Sequence, residues 1–323
     1  FMVVVGVRAR EARGVDSNPP ANPLSRGGGT GVAIDYREIA PRAAGSDYFE
    51  KLDDREASVR GGKACAVPGT VAGLMYALEK YGTMEPGQVC APAIELARRG
   101  FAADAAYAAA AAGAIEKFEK RPDWQARFAF AWERFLGGGK VAVGDVIRLP
   151  EQAAVLELIA ERGAAGFYEG ATGAAVIDAV RAAGGEMTLE DLAGFKAREG
   201  PTLRVEFAGR AFLTMPPPSS GGLAMAQVFG LLERKGVVRF APGGADENAA
   251  AYTQVVVESF KNAFADRAAW LGDPAFVDVP TTRLMSGPYL DGLAKFIDLG
   301  TTHPREMYGT RPDGEGDLKP IED

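Results

Sequence analysis

At 323 residues, with 47% hydrophobic and 24% charged side chains, the chain has the composition of an ordinary globular protein and length enough for a sizeable core. A net charge of −7 argues against a surface that tracks phosphates, so no nucleic-acid partner is expected. One histidine and two well-separated cysteines, Cys65 and Cys90, are too few for a zinc site, and the cysteines are open to either a disulfide or two thiols.

No apolar run reaches transmembrane length, and the first residues lack the basic-then-apolar layout of a signal peptide. The opening "FMVVVGVRAR" reads as a strand over residues 2–9 with no polar lead-in, so the chain is expected to begin inside a longer gene product. "EARGVDSNPPANPLSRGGGTG", residues 11–31, is rich in turn formers and reads as a long surface loop. A second strand, "VAID", ends near Arg37.

Helical texture begins at "VPGTVAGLMYALEKYG", where Val71, Leu74, Leu78 and Tyr81 recur at helical spacing, Thr70 is the expected cap and Gly82 the stop. A second helix is expected over roughly 91–99, closed by Gly100, and the alanine-rich run 102–120 is helical. "GDVIRLPEQAAVLELIAERG" and "GATGAAVIDAVRAAGG" add two more helices. A short one follows, capped by Thr188, with Glu190 and Asp191 at its positive end. Residues 202–215 alternate as a hairpin about a turn at 208–210. Helices over 223–234, 249–270 and 290–297 complete the pattern. Many helices, few strands and no fixed-period repeat describe an α/β or α+β enzyme whose sheet is incomplete.

Most short motifs yield structural readings. "RGGGTG" and "LGGGKV" do not fit a phosphate loop, and no GxSxG elbow occurs. In "MPPPSSGG" the prolines hold the backbone extended, and Ser219 or Ser220 is expected to cap the next helix. The carboxylate pairs Glu190–Asp191 and Asp53–Asp54 read as helix caps or solvated faces. Thr301-Thr302-His303 spells a nucleophile beside a base, yet neighbouring side chains on an extended segment point apart, and Pro304 holds His303 extended. A loop is the better reading. Arg37 stands out at a strand end between Tyr36 and Glu38: it is either a surface ion pair or a guanidinium fork able to grip a carboxylate through two hydrogen bonds.

Several stretches, in order and over nearly the whole chain, resemble the γ-glutamyltranspeptidase (glutathione hydrolase) family. They are "FM" at the start, "AIDYREIAP", "VPGTVAGLMYALEKYGTM", "PAIELARRGF", "GDVIRLPEQAAVLELIAERGAAGFYEG", "MTLEDLAGFKAREGP", "MPPPSSGG" and "ESFKNAFADRAAWLGDP". The resemblance implies an α+β fold of the N-terminal-nucleophile hydrolase type, an αββα sandwich. Residues 1–323 would be its large-subunit region, a single domain with a loop insertion at about 11–29, and a small subunit would complete the sheet. It further implies a precursor that cleaves itself, with the nucleophilic threonine leading the small subunit just after Asp323. No catalytic residue is then expected in this chain, and no cofactor or metal.

One site residue carries over. Arg37 matches the arginine of the family's D-[FY]-R-E stretch, which binds the α-carboxylate of the γ-glutamyl group, and Glu38 is expected to support it. The implied partners are the small subunit, a small-molecule γ-glutamyl substrate and an amino-acid or peptide acceptor, in a periplasmic or extracellular setting. Two readings compete: a related acylase acting on another amide side chain, such as a glutaryl β-lactam, and a non-catalytic interaction module. The sequence departs from the family in lacking its glycine-rich approach to "FM" and in the length of the 11–29 loop, which bears on substrate preference.

Overall fold

The computed structural model describes residues 1–5, 31–241 and 243–309. The expected loop at 11–29 and the end of the chain after residue 309 lie outside the described residues.

The chain opens with β1 (Met2–Val5) and β2 (Gly31–Asp35), paired antiparallel with Val3 opposite Ala33. Helices α1 (Thr70–Tyr81) and α2 (Pro86–Arg99) follow. The two-residue strand β3 (Phe101–Ala102) pairs with β4 (Val146–Ile147) across α3 (Ala105–Glu119), α4 (Asp123–Arg127) and α5 (Ala129–Arg134). Next come α6 (Pro150–Arg162), α7 (Ala165–Tyr168), α8 (Gly170–Ala182) and α9 (Leu189–Ala193). Strand β5 (Arg198–Pro201) joins the far side of β2, and β6 (Leu203–Phe207) and β7 (Arg210–Thr214) form the expected hairpin. The rest is helical: α10 (Ser220–Arg234), α11 (Ala249–Trp270), α12 (Thr281–Leu284) and α13 (Gly287–Ala294).

Two compact units emerge. One takes Tyr36–Ala197, with a core of Val67, Tyr168, Ile177, Met187, Leu192 and Phe195. The other takes β1, β2 and the chain from Arg198, with a core built by α10, α11 and α13 around Leu231, Val255, Leu290 and Leu293. Its three-stranded sheet runs β1-β2-β5, and Ala33 and Ile34 of the middle strand are buried. Among the described residues no helix is long and apolar enough to cross a membrane.

Local chemistry explains where elements start and where expectation missed. Helix α2 begins at Pro86 rather than near residue 91, because Glu85 and Gln88 form a reciprocal capping box and Pro86 is preset for a first helical position. Pro92 lies inside that helix at the loss of one ladder bond. Thr188 caps α9 as expected, its hydroxyl accepting from Asp191 N–H at 3.1 Å. Asp191 returns a bond to Thr188 N–H and receives Arg42 N–H; although burial pushes its carboxyl up, these donors hold it below the usual carboxylate range. Thr70 is not the cap of α1: Gly69 occupies that position and Thr70 is the first helical residue. Of the residues that marked the helix, Val71 packs against the core but Leu74 does not. Leu74 is 42% exposed, while the small residues Gly73 and Ala77 are buried.

Candidate functional site

The small face of α1 explains how Arg37 is held. A Cβ added at Gly73 would stand 2.1 Å from Cγ and Cδ1 of Tyr36, and one at Gly69 would stand 2.1 Å from the Tyr36 carbonyl oxygen. Two glycines one turn apart therefore give the helix a flat patch on which Tyr36 lies. On the far side of Arg37, Ile39 and Val67 exchange backbone bonds of 3.3 and 2.8 Å. The Arg37–Glu38 pair is thus a two-residue span fixed at both ends. The Arg37 Nε lies 3.6 Å from Glu38 Oε1, and the two side chains are 47% and 58% exposed.

Helix α1 is itself pinned from α7. The Tyr168 hydroxyl donates to the Pro68 carbonyl at 2.7 Å and accepts from Ala72 N–H at 3.1 Å, so it caps the helix that Thr70 was expected to cap. Burial raises the Tyr168 phenol above its ordinary range, which keeps it a donor at all physiological pH. Its ring stacks on Phe195, the centroids 6.2 Å apart. A cavity of about 600 Å³ opens beside α1, lined in part by Met75, Tyr76, Glu79, Arg162 and Lys196. Arg37 is not part of its wall.

The other sequence candidates fall elsewhere. In "MPPPSSGG" the Pro217–Pro218 bond is cis, and Ser219 occupies the cap position of α10 without a side-chain cap bond. The expected serine cap is absent: Ser219 has the extended backbone usual at a cap, yet its hydroxyl is not used on the first turn, and Ser220 is the first helical residue. Thr302 and His303 do not engage each other's side chains: the His303 Nε2 meets the Phe296 carbonyl at 2.8 Å, while the Thr302 hydroxyl joins Glu258, Lys261 and Tyr308. Cys65 is exposed and Cys90 buried, both as free thiols. Among the described residues no group of three or more His, Cys, Asp or Glu is placed to hold a metal.

Two groups important to the geometry escaped the sequence reading. Tyr36, Gly69 and Gly73 act through close approach; the glycines' i, i+4 spacing was visible in "PGTVAG", but that stretch is distant from "DYRE" in the sequence. Tyr168 offered none, since its partners lie 96 and 100 residues away.

The chain matches the family described as Gamma-glutamyltranspeptidase over residues 25–319. It is 36% identical over 321 residues to the glutathione hydrolase proenzyme of Escherichia coli (strain K12), covering 95% of this chain and 52% of that protein. An acylase ACY 1 proenzyme from Pseudomonas sp. (strain V22) is 32% identical over 272 residues, covering 81% of this chain and 47% of the acylase. The crystal structure of Helicobacter pylori γ-glutamyltranspeptidase superposes with a TM-score of 0.75 at 30% identity, covering 88% of this chain and 79% of that one. The chain spans about half the length of the curated relatives it matches. Its fold is α+β and its structural neighbours are N-terminal-nucleophile hydrolases. The chain belongs to the γ-glutamyltranspeptidase family.

Proposed function

We propose that this chain is the large-subunit region of a γ-glutamyl hydrolase/transpeptidase acting on glutathione and related γ-glutamyl compounds, with Arg37 binding the substrate α-carboxylate. The observation that carries the reading is the fixed backbone at Arg37. Tyr36 lies on Gly73 and Ile39 is bridged to Val67, so a half-exposed guanidinium projects from a rigid base. Its planar fork matches two carboxylate oxygens, and Glu38 steadies it from the Nε side. In this reading the two compact units serve as one large-subunit region.

The chemistry is acyl transfer. The hydroxyl of the threonine leading the small subunit attacks the γ-glutamyl amide carbonyl, and the amine leaves with a proton. The resulting γ-glutamyl ester is cleared by water or by an acceptor amine, which restores the hydroxyl. A terminal threonine supplies its own base, because its α-amine, with an ordinary pKa of ~8, stands beside the hydroxyl. That residue belongs to the half of the family's length that this chain does not span, and the relatives' description as proenzymes supports a maturation cleavage. The setting proposed is periplasmic or extracellular, on family grounds alone.

Release of anilide from a γ-glutamyl anilide by the full-length gene product tests the proposal. Arg37→Ala is expected to raise KM and lower kcat/KM roughly thirty-fold, about 2 kcal/mol for a half-exposed contact to a charged group. An unchanged KM removes Arg37 from the site. Turnover of a glutaryl β-lactam without γ-glutamyl release would favour the acylase reading, to which the 32% identity with an acylase lends support. A folded, processed protein with neither activity would favour an interaction module.

A further inference from the structure

Helix α11 carries its polar groups on the wrong side for a surface helix. Glu258, Ser259, Asn262 and Asp266 are buried, while Val257, Phe260 and Phe264 are 42%, 47% and 53% exposed. A buried carboxylate is tolerated only when its oxygens are satisfied. Glu258, 0% exposed, is satisfied by three donors: Lys261 Nζ at 2.7 Å and Thr302 Oγ1 at 2.9 Å on Oε1, and Tyr308 Oη at 2.7 Å on Oε2.

Two of those donors come from the segment 301–309, in which no residue is buried. Apolar burial therefore contributes little to holding it. Its ties to α11 are polar and run along one edge of that helix: Gln254 Nε2 to the Thr301 carbonyl at 2.9 Å, the Glu258 cluster, and Gly309 N–H to Asn262 Oδ1 at 3.2 Å; off the helix, His303 Nε2 meets the Phe296 carbonyl at 2.8 Å. The Tyr308 hydroxyl is the hub on the segment's side. It donates to Glu258, accepts His303 N–H at 3.0 Å and lies 2.8 Å from the Thr302 hydroxyl. Positions 254, 258 and 262 share one face of the helix, so the segment is laced along two turns.

We infer that residues 301–309 are a separable strap, held on α11 by one cooperative polar latch centred on Glu258, and that the strap opens as a unit while α11 stays folded. The inference goes beyond the proposed activity and does not depend on it. Opening would uncover the Glu258–Lys261–Asn262 edge of α11 for other contacts.

Hydrogen exchange read by mass spectrometry on the full-length protein tests this, with the Gly309 amide as reporter. Tyr308→Phe deletes the hub hydroxyl without touching the Gly309–Asn262 bond. A cooperative latch predicts that Gly309 exchange accelerates roughly tenfold, the effect of losing one hydrogen bond to a charged group, while the α11 amides keep their protection. Lys261→Met should loosen the strap in the same way, and Lys261→Arg should restore it. Gly309 exchange unchanged in both Tyr308→Phe and Lys261→Met would show independent bonds and overturn the latch. Equal acceleration of α11 and the strap would overturn their separability. Met307→Ala, at an exposed strap position outside the network, should leave exchange as it is.

Discussion

Around Arg37 the chain is held by shape, and around Glu258 by polarity. The first region has Tyr36 laid on bare glycine, with added Cβ atoms meeting its ring or carbonyl at 2.1 Å. The second has a fully buried carboxylate whose oxygens are reached by an ammonium group and two hydroxyls. Each device has its own weakness. Close packing ignores pH and salt but cannot accept a methyl group. A polar network tolerates small changes in volume but fails when a proton or a donor is misplaced.

Gly73→Ala is the sharpest way to break the contrast. In an exposed helix interior the change would stabilise by about 1 kcal/mol. At Gly73 the new methyl overlaps the Tyr36 ring, so the net effect is expected to be a loss of about 3 kcal/mol by overpacking. The urea midpoint measures that loss, and on the role proposed for Arg37 the KM of the full-length protein should rise with it. A more stable Gly73→Ala protein would mean that Tyr36 is not held by fit.

A smaller effect separates packing from hydrogen bonding within the same region. Tyr168→Phe keeps the ring on Phe195 but removes the hydroxyl that bridges Pro68 and Ala72. About 1–2 kcal/mol should be lost, and the Ala72 amide should exchange faster. No change in either would mean that glycine contact alone sets the start of α1.

The two regions were unequally legible. The helices of α1 and α11 and the hairpin of β6 and β7 follow from periodicity, which reports the backbone of a single segment. Which face packs does not follow. In α1 the eye is drawn to Leu74, yet Gly73 and Ala77 are buried; in α11 it is drawn to Phe260 and Phe264, yet Glu258 and Asp266 are inside. Burial of a polar residue is decided by its partners, and two of the three donors to Glu258 lie 44 and 50 residues further along. Arg37 was singled out by a strand end and a matching stretch, and its role is the one proposed above, while Tyr168 had no local mark. Thr302 and His303 were set aside as a pair for a local reason, and the long-range role of the Thr302 hydroxyl in the Glu258 cluster was hidden from any local pattern.

The smallest effect, carried by one proton, concerns pH. Burial pushes the Glu258 carboxyl up, but the hydrogen bonds from Lys261, Tyr308 and Thr302 and the charge of Lys261 outweigh it, leaving the group below the usual carboxylate range. A carboxyl with a depressed folded pKa contributes stability that is complete above its unfolded value, near ~4.3, and is lost as pH falls through the folded value. Lys261, the charged group bonded to Glu258, has its own titration raised by that bond and so stays protonated throughout the acid range. The stability gap between the natural protein and Glu258→Gln should therefore be constant from neutral pH down to about 5 and then close on further acidification. Urea midpoints at matched salt across this range give the gap directly. In the Arg37 region Gly73→Ala should show a gap that does not change across the same acid range, since no carboxyl or imidazole is involved in the overlap. A Glu258→Gln gap equally flat into strong acid would show that the carboxylate charge is not what holds the network, and the contrast between the two regions would collapse to one of packing alone.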